Sequence, residues 1–244
     1  MTRGGWRRAL GTGAIAGGII AAVVVLALVI GNIGSPEPAS SAPERVLIVF
    51  ESVDPEGVQV AWAALDVDLA AGMVREVDTS SSAPVAGTTY DTLRDAYPFG
   101  GGQAVAVAYS AVGSAPVLPS LVVRGPQWRS MLTRPTSATV TFDRSMSVFT
   151  GERLVDFPEG PNEVSGQDLP ALLLASVSLD PAAARGVRAA VASVTADTLL
   201  ADPGALARMA AAGTLGGDLA GRRFDEFATR FEAAAPRLAY APAE

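Results

Sequence analysis

Val46-Leu47-Ile48-Val49-Phe50 is a continuous run of five apolar residues, and it decides the fold that the sequence predicts. A short apolar run rich in β-branched residues is typical of a strand buried on both faces at the centre of a sheet. Turn residues follow at 53–57, and further strands are predicted at 58–66 and 73–77. We therefore expect a meander of three adjacent strands at the start of the folded domain.

Predicted strands and helices alternate along the rest of the chain. A helix is expected over 88–97, ending at the glycines of 100–102. The other predicted elements are strands at 121–124 and 138–142, and helices at 126–132, 167–176, 181–200, 203–213 and around the stripe Phe224, Phe227 and Phe231. This order predicts an α/β fold, a three-layer α/β/α sandwich with a central mixed sheet. Trp62, Trp128 and the phenylalanine stripe are expected in its core.

The composition excludes several kinds of chemistry. The 244 residues include no Cys and no His, and all 18 basic residues are Arg. Disulfide scaffolds, Cys/His zinc sites, Ser-His-Asp or Cys-His catalytic sets and Schiff-base lysines are therefore excluded. The net charge of −7 at pH 7 argues against a nucleic-acid partner, for which a basic face is expected.

The N-terminal region predicts a membrane anchor. Residues 9–34 carry no ionisable side chain, and about 20 apolar residues suffice to cross a bilayer as a helix. The arginines within 1–8 place that segment in the cytoplasm and the C-terminal domain outside it, in a single-pass protein of the cell membrane. A cleaved signal peptide is the alternative, although its apolar region would be shorter. Residues 35–44 predict an extended Pro/Ser-rich stalk, and 45–244 the extracytoplasmic domain.

Four stretches follow one another behind this anchor: Glu76-Val77-Asp78-Thr79, Arg94 to Gly101, Gly160 with Ser165 to Leu172, and Asp180 with Arg185 to Ala189. In this order they resemble the LytR–CpsA–Psr (LCP) family. The family shows Pro-Arg-Asp-Thr, then Asn-Ala-Ala/Tyr followed by Gly-Gly, then an Ala-Leu helix, and finally Asp before Arg-x-x-Arg-Gln. The resemblance covers the chain from about Arg45 to the C-terminus.

Members of this family are membrane-anchored proteins that transfer glycopolymers from polyprenyl-pyrophosphate carriers to the bacterial cell wall. The resemblance therefore implies a polyprenyl-linked lipid or cell-wall glycopolymer as partner, and an apolar pocket for the polyprenyl chain. The chain departs from the family pattern in its cations. Val77 and Ala189 replace the family's arginine and glutamine, and 175–179 lacks the arginines that normally follow the Ala-Leu helix. A diphosphate carries about two to three negative charges, and burying them without cations is very costly.

Arg75, Arg185 and Arg188 are the candidate phosphate-binding residues that the resemblance suggests. Arg75 lies two residues before Val77 on the same strand face and would replace the missing arginine. Arg185 and Arg188 are spaced i and i+3, so a helix would present them on one edge. A solvated helix face is the alternative for this pair.

Acidic residues and glycines supply further candidates. Asp78 and Asp95 would hold Mg²⁺, which prefers carboxylate oxygens; loop capping is the alternative for Asp78. Asp66 and Asp68 alternate on one strand face, where a glycosidase-like pair or a pair of exposed strand-end acids is expected. The glycines of 100–102 would either approach a phosphate with their backbone or end a helix.

Three functions remain open from the sequence. The first is a diverged, degenerate binder of a polyprenyl-linked glycopolymer or an accessory envelope protein. The second is an active phosphotransferase that attaches glycopolymer to peptidoglycan, for which at least three arginines should meet an acid. The third is a structural envelope domain whose pocket has closed.

Overall fold

A computed structural model describes residues 42–80, 90–113, 116–132, 136–149 and 153–243. The predicted meander is present as β1 (Arg45–Val53), β2 (Gln59–Asp68) and β3 (Met73–Val77), paired antiparallel in chain order. Every residue of the apolar run at 46–50 is fully buried. The run forms a central strand because β1 has a neighbouring strand on each side, which covers both of its edges.

Three further strands complete a mixed sheet of six strands within the described residues, in the order β10-β3-β2-β1-β4-β9. β4 (Ser120–Val123) runs parallel to β1, and β9 (Leu215–Gly217) runs antiparallel to β4. β10 (Ala239–Ala241) runs parallel to β3 and covers the other edge. The predicted α/β class and the central mixed sheet are thus confirmed.

Two antiparallel ribbons stand apart from this sheet. β5 (Ser137–Phe142) pairs with β8 (Gly160–Ser165), and β6 (Met146–Phe149) pairs with β7 (Leu154–Phe157). Only β5 was expected from the sequence, because the strands of 146–165 are short and interrupted by turn residues.

Six helices lie in the described part of the chain. They are α1 (Leu93–Gly113), α2 (Gly125–Leu132), α3 (Leu169–Ala175), α4 (Pro181–Ala201), α5 (Ala205–Ala211) and α6 (Gly221–Ala234). Short 3₁₀ turns follow α3 and α6, at Ser176–Ser178 and Ala235–Arg237.

Helix α1 is broken at the glycines where the sequence predicts a helix end. Gly100 and Gly101 have non-helical backbone angles, and Gly101 takes a φ of +61°. A second helical segment, which the sequence did not predict, then runs to Gly113. A Cβ on Gly102 would lie 2.7 Å from Cγ2 of Val122 in β4, so a glycine lets this second segment approach the sheet.

Helices α1 and α4 pack on opposite faces of the sheet. Tyr109 of α1 donates a hydrogen bond to Asp66, which lies opposite Arg75 in the β2–β3 ladder and so shares its face. Glu76 follows Arg75 in β3, so its side chain lies on the other face of the sheet. There it lines a groove together with residues of α4. This places the α4 arginines and Arg75 on different sides of the sheet.

The predicted core residues are buried as expected. Trp62, Trp128, Phe224, Phe227 and Phe231 are all at most 5% exposed. The Trp128 ring packs against Phe50, and its indole Nε1 donates to the Thr195 hydroxyl of α4 at 3.0 Å. This bond satisfies the indole N–H inside the core.

The expectation that Asp66 is an exposed strand-end acid is wrong. Asp66 is fully buried, and its carboxylate accepts hydrogen bonds from the Arg45 guanidinium and the Tyr109 hydroxyl. Asp68 accepts a hydrogen bond from Arg75 at 3.3 Å. A buried carboxylate needs such partners, so this network explains how an acid is accommodated between α1 and the sheet.

The predicted anchor at 9–34 and its cytoplasmic flank 1–8 lie outside the described residues. Among the helices that are described, none has the length and apolar content needed to cross a membrane. The stalk predicted at 35–44 is described only at its end. There Ala42 is 4% exposed, its carbonyl accepts a hydrogen bond from Arg230 of α6 at 3.1 Å, and Glu44 pairs with the same guanidinium.

Candidate functional site

Strands β1 and β3 are both antiparallel to β2 and so run in the same direction, which brings their carboxyl ends to the same end of the sheet. Ligands commonly bind at this end in α/β proteins, and we call it the carboxyl edge. Asp54 follows β1, and Asp78 follows β3. The start of α1 is fixed beside them, because the Arg94 amide donates to the Thr79 carbonyl at 2.8 Å. The edge therefore gathers two acids and the first turn of a helix.

Arg94 is the central cation of this edge. Its Nη2 donates to Asp54 Oδ2 at 3.2 Å, and its guanidinium carbon lies 4.2 Å from the centroid of the Trp62 ring. Both contacts fix the plane of the guanidinium over a buried aromatic surface. Asp95 Oδ1 is 3.9 Å from Arg94 Nε, which is a weaker contact.

Sequence reasoning quoted Arg94 but did not select it. In the structure Arg94 lies in the first turn of α1, where the partial positive charge of the helix N-terminus disfavours a cation. The sequence predicted that this helix starts at 88, so it did not reveal this position.

Arg188 of α4 reaches the same edge from the other side. Its Nη2 donates to the Ser80 hydroxyl at 3.0 Å, two residues after Asp78. Burial is the largest influence on the pKa of Arg188 and lowers it. The carboxylates of Asp78 and Glu76 raise this pKa, whereas the positive charges of Arg185 and Arg94 lower it further. These influences show that Arg94, Arg185, Asp78 and Glu76 each lie within electrostatic reach of Arg188. We call this set, Arg94, Arg185 and Arg188 with Asp78 and Glu76, the guanidinium site.

Three buried N–H donors at this edge lack an acceptor among the residues that the structure describes. They are Nε1 of Trp62, Nε of Arg94 and Nε of Arg188. Buried polar groups in native proteins nearly always have partners, and an unpaired donor costs about 1–3 kcal/mol. A ligand with several acceptor oxygens would satisfy these donors, and phosphate groups match arginine forks best.

Arg75 does not join the guanidinium site. Its Nη1 contacts Asp68 Oδ2 at 3.3 Å on the α1 face of the sheet, beside Asp66. Arg185 and Arg188 belong to the helix on the other face. Of the three predicted arginines, only Arg185 and Arg188 therefore belong to the guanidinium site. Its third arginine is Arg94 and not Arg75.

Asp78 and Asp95 are both engaged in local hydrogen bonds. Asp78 Oδ1 accepts from the amide and hydroxyl of Ser80 at 2.9 and 2.6 Å, and Asp95 Oδ2 accepts from the Thr92 hydroxyl at 2.7 Å. In the described part of the chain, no three His, Cys, Asp or Glu side chains group together as a metal site. A Mg²⁺ ion at Asp78 and Asp95 stays a prediction, and it would take further oxygen ligands from a bound phosphate.

A groove of about 720 Å³ runs along the other flank of α4. Small residues of α4 form one wall, including Gly186 and Ala190, and the hydroxyl-bearing strand β5 forms the opposite wall. Tyr240 of β10 closes the end by donating to Glu76 Oε2 at 3.0 Å. Glu76 thus connects this groove to the guanidinium site.

The tyrosines predict how stability depends on pH. Burial is the main cause of a raised pKa at three tyrosines, and a nearby carboxylate is the second cause. These pairs of tyrosine and carboxylate are Tyr240 with Glu76, Tyr109 with Asp66, and Tyr97 with Glu51. A raised pKa means that the folded state holds the proton more tightly than the unfolded state. Stability from this source is complete below about pH 10 and falls as the pH rises towards the folded-state pKa values.

We therefore expect the free energy of unfolding in urea to fall steadily above about pH 10. Tyr240→Phe should make this fall shallower, because one of the contributing protons is removed. Equal slopes in the variant and the wild type would show that Tyr240 keeps an ordinary pKa.

No protein-family model and no curated protein sequence matches the chain. Solved structures do match. TagV of Bacillus subtilis is 11% identical with a TM-score of 0.50, over 82% of this chain and 85% of TagV. Protein gbs0355 of Streptococcus agalactiae is 12% identical with a TM-score of 0.54, over 82% of this chain and 76% of that one. The transcriptional regulator EF0465 of Enterococcus faecalis is 14% identical with a TM-score of 0.51, over the same shares.

TagV is an LCP-family enzyme. The chain has the LCP fold. The resemblance predicted from the order of four short stretches is confirmed at this level. Within the LCP fold, the guanidinium site lies on the stretches that carried the resemblance: Asp78, Arg94, and the helix with Arg185 and Arg188.

Proposed function

We propose that this diverged LCP domain binds the diphosphate group of a polyprenyl-linked cell-wall glycopolymer at the guanidinium site. Residues 9–34 would hold the domain at the outer face of the bacterial membrane, where such a ligand is presented. The observation that carries the proposal is the set of three buried N–H donors, on Trp62, Arg94 and Arg188, that lack an acceptor among the described residues.

The charge balance supports an anionic ligand. Arg94 has Asp54 as its partner, but Arg188 is bonded only to a neutral hydroxyl in the described residues, and Arg185 lies exposed one turn away. Burial already disfavours the charged form of Arg188, so a diphosphate would relieve that cost by pairing with it. Asp78 and Glu76 limit the net positive charge and would orient the arginines.

Each of the three arginines has a distinct part in this proposal. Arg94 is fixed by Asp54 and the Trp62 ring, so its free Nε would donate to one phosphate oxygen without losing side-chain entropy. Arg188, held by Ser80, would donate from the opposite side. Arg185 is exposed and would close over the ligand last. Asp78 and Asp95 would hold a Mg²⁺ ion in the bound state, where the ion would neutralise phosphate charge.

Transfer of the glycopolymer is the second candidate function, and it is supported by the arrangement around Ser80. Arg188 donates to the Ser80 hydroxyl, which also donates to Asp78. The Arg94 amide donates to the adjacent Thr79 carbonyl. An acceptor hydroxyl would attack the sugar-linked phosphorus and form a phosphodiester. The bond from that phosphorus to the bridging oxygen would break, and polyprenyl monophosphate would leave with its electron pair. Catalysis of this kind depends mainly on positioning and on cations that stabilise charge.

One assay separates the two functions. The full chain in detergent micelles is incubated with a polyprenyl-diphosphate glycan and peptidoglycan fragments, with and without Mg²⁺. A binder retains the intact lipid, whereas a transferase releases polyprenyl monophosphate in proportion to the glycan that appears on peptidoglycan. Failure to retain the lipid at all would contradict both functions and favour a structural domain.

A further inference from the structure

The hairpin β6–β7 has two unlike faces. Met146, Val148, Val155 and Phe157 point inward and pack on the core. Ser147 and Asp156 lie opposite each other on the outer face and are joined by a hydrogen bond of 2.5 Å. Up to this pair the hairpin follows the expected alternation of apolar inside and polar outside.

The last pair of the hairpin breaks the alternation. Phe149 and Leu154 lie opposite each other on the outer face, where polar residues are expected. They are 65% and 64% exposed, the two largest fractions among the large apolar residues that the structure describes as exposed. Side chains directly opposite in an antiparallel pair contact one another, so they form one apolar patch, which we call the hairpin tip.

The hairpin tip lies beside an ion pair to the body of the domain. Arg153, which precedes Leu154, donates from Nη2 to Asp168 Oδ2 at 3.0 Å. Asp168 lies at the start of α3, so this ion pair connects the end of the hairpin to the body of the domain. The exposed apolar pair therefore lies on the outer face of a hairpin that contacts the folded domain.

The chain that precedes the domain limits how far the domain can lie from the predicted anchor. Ala42 is bound to the domain through Arg230, so only residues 35–41 separate it from that anchor. Seven residues span at most about 25 Å when fully extended. A domain of some 200 residues is about 40 Å across. With residues 9–34 in the membrane, as proposed above, the domain would stay close to the lipid headgroups.

We propose that the hairpin tip, Phe149 and Leu154, is a second membrane contact that inserts into the interfacial layer of the bilayer. The proposal rests on the anchor part of the proposed function but not on diphosphate binding. A protein partner is disfavoured by size, because two such side chains expose on the order of 250 Å², against roughly 800 Å² per partner in a standard interface. A small apolar contact suffices for lipid because the tether makes insertion intramolecular.

The test places a fluorescent reporter at the hairpin tip. The full chain is reconstituted into phosphatidylcholine vesicles whose acyl chains either carry bromine or do not. Phe149→Trp is compared with Ser147→Trp, its matched control on the same outer face two residue pairs further from the tip. The emission of the unsubstituted chain is subtracted. Far-UV circular dichroism confirms that both exposed substitutions leave the fold intact.

We expect the added emission of Phe149→Trp to be blue-shifted and to lose about half its intensity in brominated vesicles, as for an aromatic ring at the interface. The Ser147→Trp emission should show neither effect, and Leu154→Asp added to Phe149→Trp should abolish the quenching. Unquenched emission from both tryptophans would overturn the proposal. A blue shift that increases with protein density and is not accompanied by bromine quenching would also overturn it. That result would mean that the hairpin tip contacts a second copy of the chain and not lipid.

A third variant separates this proposal from the proposed function. Arg188→Ala should leave the quenching of Phe149→Trp unchanged while diphosphate binding is lost. If binding fails in the wild type and quenching persists, the proposed function is wrong and the membrane contact stands. If quenching is absent while binding persists, the membrane contact is wrong and the guanidinium site stands.

Discussion

Arg188→Ala and Arg94→Ala are each expected to weaken binding of a polyprenyl diphosphate by about 10- to 100-fold, because a hydrogen bond to a charged group contributes about 1.5–3 kcal/mol. Both side chains bring a buried, unpaired Nε to the same edge of the sheet. Titration calorimetry with farnesyl diphosphate, a short polyprenyl diphosphate, measures the loss.

Arg222→Ala is the matched control for these variants. It removes the same charge, but its side chain is 89% exposed and pairs with Glu226 one turn along α6. An exposed pair of this kind has little influence beyond its own surroundings, so affinity should change by less than about twofold. A tenfold loss in Arg222→Ala would show that binding follows net charge and not the guanidinium site.

Arg94→Lys refines the same prediction. A lysine keeps the charge but lacks the planar group that lies over Trp62 and the Nε donor. We expect it to recover less than half of the binding free energy lost in Arg94→Ala. Full recovery would mean that Arg94 acts only as a point charge.

Gly217→Ala is expected to destabilise the fold by about 3 kcal/mol or more. Gly217 takes a φ of +115°, which a residue with a side chain rarely adopts. A Cβ at this position would also collide with the Ser120 carbonyl oxygen and would lie 2.9 Å from Cα of Leu121. These are backbone atoms of β4 and cannot rotate away, so β9 would have to leave the sheet edge.

Gly186→Ala is the control, because we expect it to raise the free energy of unfolding that Gly217→Ala lowers. Gly186 lies inside α4, and an added Cβ would meet nothing within 4 Å. Alanine is the better helix former by about 0.8–1 kcal/mol, so this variant should be stabilised. Urea unfolding of both variants measures the difference, and destabilisation of both by similar amounts would contradict the account of Gly217.

The fold was predictable where local pattern and burial agree. The run at 46–50 has no polar residue and forms a fully buried strand, and Phe224, Phe227 and Phe231 recur at helical spacing and are buried in α6. The break of α1 at the glycines of 100–102 was predictable, but the second helical segment, which runs to Gly113, was not. This segment depends on a close approach to the sheet, where a Cβ on Gly102 would collide with Val122 of β4.

The candidate site was predictable in part because its residues come from distant stretches. Arg185 and Arg188 were found through their spacing on one helix and the family resemblance. Arg75 was chosen because it shares a strand face with Val77, but that face lies under α1 and holds the Asp66 and Asp68 network. Arg94 could be recognised only from the structure, where it pairs with Asp54 beside the carboxyl ends of β1 and β3.

The most direct test of the central claim is a calorimetric titration of the full chain in detergent with farnesyl diphosphate, with farnesol as the comparison. The guanidinium site predicts that the diphosphate binds, that the alcohol does not, and that Arg94→Ala combined with Arg188→Ala abolishes binding. Equal affinity in the wild type and the double variant would contradict the claim that these arginines hold a diphosphate.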